Sequence, residues 1–213
     1  MRTLLLLLTL LVATAVPAGA TPGTAGLAAA ATPLEAGTPL STASGARCSN
    51  GFNVRGHLIV SPSCGTVGTV VRGPGLVDVG PIVAVRPTYA IVRITNTAAW
   101  VQRPTVVGGG TVTGSAETPV GGPVCAAGRT TGVRCGTVQA KNVTVNYPSG
   151  VVYGLTRTSV CSEPGDQWAP LFTGGQAQGH SLGGSGTCST GGTSYFYPLN
   201  RILSAEGLTL VTG

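Results

Sequence analysis

The 213-residue chain is poor in the residues on which most site chemistry rests, with two histidines, His57 and His180, and two aspartates, Asp78 and Asp166. No Cys-x-x-Cys spacing occurs, and with so few histidines no zinc site or other metal site is expected. The basic residues stand singly, at Arg47, Arg55, Arg72, Arg86, Arg93 and Arg103 for example, with no cluster and no interleaved aromatics, which argues against a nucleic-acid partner. The longest apolar run, Leu4 to Val16, is too short to anchor the chain in a membrane. Helical periodicity is nearly absent, so helix-rich folds are excluded as well.

That apolar run follows one early arginine, Arg2, and leads into the small-residue exit Ala18-Gly-Ala20, which is the layout of a cleaved secretory signal over 1–20. Residues 21–33 are almost wholly Ala, Thr, Gly and Pro and read as a linker before one domain over 34–213. Without Arg2, eleven basic residues face six acidic ones, a net charge of +5. Six cysteines in a secreted chain imply three disulfides, and their spacing alone leaves every pairing open.

Short runs of Val, Thr, Ile and Tyr punctuated by Gly and Pro, such as Gly68-Thr-Val-Val-Arg-Gly-Pro-Gly75 and Thr137 to Tyr147, predict many short antiparallel strands. The fold class is therefore all-β, a sandwich or barrel. One exception is Pro198 to Gly207, where a proline start, apolar Leu199, Ile202 and Leu203 on one face and a closing glycine predict a single C-terminal helix.

The segment Gly165-Asp-Gln-Trp-Ala-Pro170 resembles the nucleophile loop of chymotrypsin-like serine proteases, Gly-Asp-Ser-Gly-Gly-Pro, with glutamine in place of the serine. In the family, that serine attacks the substrate carbonyl while backbone amides of the loop bind the oxyanion. Further matches are Arg47 to Arg55, Tyr89 to Arg93, Val124 to Val138, Tyr153 to Arg157, Gln176 to Gly179, Gly183 to Gly186 and Leu208 to Gly213. Together they make the chain similar to the bacterial branch of the family, the streptogrisin and α-lytic protease group. The resemblance implies two six-stranded barrels, about 46–113 and about 120–213, with a cleft between them. It also implies the pairs Cys48 with Cys64, Cys125 with Cys135 and Cys161 with Cys188.

Carried over position by position, the resemblance assigns the general base to Ser63, the orienting acid to Thr88, the nucleophile to Gln167 and a supporting serine to Leu182. All four polar positions are substituted. The hairpin at Arg55-Gly-His-Leu58 and the stretch Val85-Arg-Pro-Thr88 are also shorter than the family pattern. His57 reads as a turn residue and Asp78 as a surface acid. Asp166 keeps the family's buried aspartate, but the arginine that pairs with it there is Ala126 here, so Arg129, Arg134 or a moved loop must satisfy it. Gly179-His-Ser-Leu-Gly183 spells G-x-S-x-G, yet no histidine follows Ser181 and no βαβ alternation surrounds it, so a hydrolase elbow does not fit. Asn142-Val-Thr144 spells a glycosylation sequon, and the bacterial resemblance argues against its use.

The first expectation is a secreted, monomeric pseudoprotease that binds a peptide or protein in the cleft, through Gly165, Gln167, Trp168, His180 and Leu182, without a cofactor. Its rival is an active secreted serine endopeptidase of the same family. A product that no longer folds is the third reading, opposed by the six cysteines and the intact C-terminal half.

Overall fold

Strand position follows the alternation of buried and exposed side chains, as in Thr32–Ala36, where Leu34 and Ala36 are buried and Pro33 and Glu35 lie on the more exposed face. The computed structural model describes residues 30–213; the expected signal, 1–20, and most of the expected linker, 21–33, lie outside the described residues. The first strand takes up the last two linker residues, because Leu34 needs a buried strand position.

The first half contains β1 (Thr32–Ala36), β2 (Pro39–Thr42), β3 (Arg47–Ser49), β4 (Phe52–Val54), β5 (His57–Val60), β6 (Val70–Arg72), β7 (Asp78–Arg86), β8 (Tyr89–Arg93) and β9 (Trp100–Val106). The second half contains β10 (Pro123–Gly128), β11 (Gly132–Tyr147), β12 (Gly150–Thr158), β13 (Pro170–Thr173), β14 (Gln176–Thr187) and β15 (Gly191–Pro198), followed by α1 (Leu199–Glu206). The fold is all-β with two barrel-like sheets and one C-terminal helix, as expected.

The sheets differ in closure. Strands β10-β11-β12-β15-β14-β13 form a closed six-stranded barrel, so every strand has a neighbour on both sides. In the first half, seven strands run in the open order β3-β2-β6-β7-β8-β5-β4, and β1 pairs with β9 as a separate parallel ladder. This first sheet begins before residue 46, its expected start, because Leu40 and Thr42 of β2 are buried in it. The strand count there is seven rather than six.

Hairpin turns are short and set the register. Val54 faces His57 across the turn Arg55-Gly56, where Gly56 has φ 73°, a conformation glycine adopts without steric cost. Arg86 faces Tyr89 across Pro87-Thr88, and Gly128 faces Gly132 across Arg129, Thr130 and Thr131.

Leu34, Leu58, Val60, Val71, Ile82 and Trp100 fill the first half, while Val124, Val138, Leu171 and Phe196 belong to a smaller cluster in the second. A third cluster joins the halves, with Phe52, Val54, Ile59 and Tyr89 against Trp168, Phe172, Leu199 and Ile202. Each fully buried aliphatic or aromatic side chain contributes about 1.5 to 3 kcal/mol. The predicted helix ends at Gly207 in the left-handed region, and the tail then returns to the first half, where Val211 N–H donates to the Asn53 carbonyl. The second chain half is thus locked to the first by its own terminus.

Disulfides join Cys48 to Cys64, Cys125 to Cys135 and Cys161 to Cys188, the pairing that the resemblance implies.

Candidate functional site

Gly165 to Ala169 lie between Cys161 and β13, and the turn is shaped by one carboxylate. Asp166 is 2% exposed and accepts hydrogen bonds from the backbone amides of Thr130 (2.7 Å), Thr131 (3.1 Å) and Glu163 (2.9 Å) and from the Thr131 hydroxyl (2.8 Å). Neither Arg129 nor Arg134, two of the three alternatives to an arginine at Ala126, pairs with it. Amide dipoles from the β10–β11 turn do the work of a cation, because three or four well-aimed donors stabilise a buried carboxylate. The donors can close in because Gly128 has no side chain: a Cβ there would lie 2.5 Å from Asp166 Oδ1. Only a void of about 10 Å³ is left beside Ala126.

Next in the turn, Gln167 is exposed and bends its side chain back on its own loop. The Gly165 amide N–H donates to Gln167 Oε1 at 3.1 Å, which fixes the carboxamide orientation, since only the oxygen accepts. The Gly165 amide, which belongs to the loop whose amides bind the oxyanion in the family, is therefore already occupied by the protein. Gln167 Nε2 has no acceptor among the described residues.

Trp168 stands where the family motif has glycine, and it keeps the glycine conformation at φ 69°. A bulky residue pays about 1 to 2 kcal/mol for this backbone region. The indole compensates by burial, 6% exposed, and by stacking on His180 with ring centroids 3.9 Å apart. His180 was expected at the cleft, but it is 0% exposed, sandwiched between Trp168 and Tyr197. Its Nε2 reaches the Thr88 carbonyl at 3.4 Å and its Nδ1 has no partner. Burial pushes its pKa down to about 3, a tendency the Thr88 carbonyl only partly opposes. Leu182, also expected at the cleft, packs against the cluster that joins the halves, where an apolar side chain is better placed than at a wet surface.

Two cavities flank Gln167. The larger, about 510 Å³, is lined by Arg47, Ser49 and Ser63 from the first half and by Arg129, Thr130 and Trp168 from the second. The smaller, about 210 Å³, is lined by Ser162, Glu163, Ser181, Gly183 and Gly184, and Trp168 does not intrude on it. Glu163 Oε1 is held there by the Cys188 amide at 2.8 Å.

Of the positions that the resemblance assigns to catalysis, Ser63 and Gln167 share the larger cavity. Ser63 follows Ser61 in a 3-10 turn, their hydroxyls 2.6 Å apart. Thr88 is buried in the β7–β8 turn and borders a different groove. The His57 ring reaches the Arg55 carbonyl through Nδ1, at 3.1 Å, and Asp78 forms an exposed ion pair with Arg72 at 2.8 Å. No hydroxyl or thiol stands at 167, and none of the histidines is near it with an open face.

Arg47, Arg129 and Thr130 were not singled out from the sequence as cleft residues. Arg47 had only the signal of a family match beside Cys48, and Arg129 that of a free cation near Asp166.

No family model matches the chain. Among curated proteins, Streptogrisin-C of Streptomyces griseus is 47% identical over 168 residues, covering 76% of this chain and 35% of that protein. Serine protease 2 of Streptomyces fradiae is 36% identical over 178 residues, covering 76% of this chain and 100% of that protein. The chain spans between 35% and 62% of the length of the streptogrisins it matches. Among solved structures, Thermobifida fusca Protease A superimposes with a TM-score of 0.76 at 43% identity, covering 85% of this chain and 100% of that one.

Proposed function

Because this chain belongs to the streptogrisin-type, chymotrypsin-like family of bacterial serine proteases, we propose that it is a member that has exchanged catalysis for binding, a pseudoprotease whose cleft holds a peptide or protein segment. The observation that carries this reading is the hydrogen bond from the Gly165 amide to Gln167 Oε1. A serine at 167 would supply a nucleophile and leave that amide free for an oxyanion; glutamine supplies no nucleophile and occupies the amide.

The partner groups agree. Ser63 and Thr88, at the positions assigned to base and acid, neither take up a proton near neutral pH nor orient an imidazole. His180 is neutral and closed off by Trp168 and Tyr197. What remains is an open cleft on either side of Gln167, with one acidic pocket wall at Glu163 and two arginines opposite. The three disulfides suit an oxidising, extracellular setting, and with the signal read over 1–20 we propose secretion of a monomeric domain.

The test is direct. Purified protein treated with a rhodamine fluorophosphonate, beside an active streptogrisin control, should remain unlabelled, and a casein zymogram should show no clearing. Labelling at any serine would establish the rival reading, an active serine endopeptidase.

A further inference from the structure

We propose that the larger cavity selects carboxylate-bearing peptides, whose anionic group sits between Arg47 and Arg129. The inference rests on the binding reading above and names the ligand class for that cleft.

Arg47 comes from β3 of the first half and Arg129 from the β10–β11 turn of the second, and both line the same cavity of about 510 Å³. Both are exposed, and neither has an acidic partner among the described residues, whereas Arg72, Arg86 and Lys141 are each paired. No aspartate or glutamate lines the cavity. The two nearest in sequence are turned elsewhere: Asp166 is buried under four donors, and Glu163 belongs to the other pocket, with one oxygen on the Cys188 amide. Two guanidinium groups in one concave site, with no counter-charge, raise the local potential and favour an anion there.

The donors suit a carboxylate in particular. Guanidinium groups present planar pairs of N–H bonds that match its two oxygens. Gln167, which lines the same cavity, adds a neutral donor, because its oxygen is held by the Gly165 amide and its Nε2 has no acceptor among the described residues. A peptide offers such a group either as an acidic side chain or as its C-terminal carboxylate.

Three rhodamine-labelled alanine-rich hexapeptides separate these sources. One carries two central glutamates and an amidated end, one two central glutamines and a free C-terminal carboxylate, and one two glutamines and an amidated end. By fluorescence anisotropy at low salt, at least one carboxylate peptide should bind about five- to tenfold more tightly than the neutral one, as two partly exposed ion pairs allow. The double variant Arg47→Glu/Arg129→Glu, checked for an unchanged melting temperature, should remove or reverse that preference. The tighter of the two carboxylate peptides identifies the source.

The proposal is overturned if all three peptides bind within about twofold of one another, if neither carboxylate peptide binds at about 1 mM, or if the double variant keeps the preference. Cleavage of the peptides, with the preference intact, would instead sink the non-catalytic reading and leave the selectivity standing.

Discussion

In the first half of the molecule the two positions assigned to catalysis turn their polar atoms to internal use: the Ser63 hydroxyl meets Ser61, and the Thr88 carbonyl faces His180, so that Arg47 is the donor this half offers to the cleft. In the second half one buried carboxylate, Asp166, organises a loop whose exposed face keeps unpaired donors, Gln167 Nε2 and the Arg129 guanidinium. The same contrast runs through the buried polar groups. The first half relies on amides, with Asn53 donating to the Leu34 and Arg103 carbonyls and accepting from Asn50, while the second relies on a charge. A neutral network tolerates loss of one member better than a buried charge tolerates loss of its shell, and better than the donors around that charge tolerate its removal.

Removing the charge is the strongest way to break this comparison. Asp166→Ala leaves three backbone amides and a hydroxyl without their acceptor and should destabilise by about 3 to 5 kcal/mol, read by urea denaturation. Asn53→Ala, its counterpart in the first half, should cost about 2 to 3 kcal/mol. An equal or larger loss at Asn53 would show that the second half is not the one built around its polar centre.

Acid should act at the seam between the halves. Folded His180 has a pKa of about 3 against an ordinary value of 6.5, so between those values the unfolded chain binds a proton that the folded chain excludes. Stability is therefore fully present above about pH 6.5 and falls as pH drops toward 3, by about 1.4 kcal/mol per unit. His180→Phe, which keeps the stack on Trp168, should flatten that part of the stability profile. A slope unchanged by the substitution would place the acid sensitivity elsewhere.

The smallest expected effect concerns the cleft surface. Gln167→Ser restores a hydroxyl and frees the Gly165 amide, yet ester hydrolysis should stay at background and stability should change by about 0.5 kcal/mol or less. Hydrolysis above background would show that the first half still supplies a base, and the contrast between the halves would fail.

Much of this was legible in the chain itself. The β-branched runs between glycines marked the strands, Pro198 and Gly207 bracketed the helix, and the Gly165-Asp-Gln-Trp segment identified the loop. What the chain hid were contacts made by groups without a sequence signature. Asp166 is satisfied chiefly by backbone amides, which every residue carries, so no residue type announces its partners. His180 reads as polar, yet it is buried because Trp168 supplies an aromatic face for it to stack on. Leu182 looked like a cleft residue by position and is a packing residue by chemistry.

The amino-acid sequence alone determined the strand-rich class, the family and the absence of a nucleophile at 167, since these depend on local pattern and residue identity. Tertiary structure decided that Gln167 occupies the Gly165 amide, that the first sheet stays open while the second closes, and that Arg47 and Arg129 line one cavity. Those outcomes depend on how two sheets dock, and docking is set by apolar burial summed over both halves rather than by any single segment.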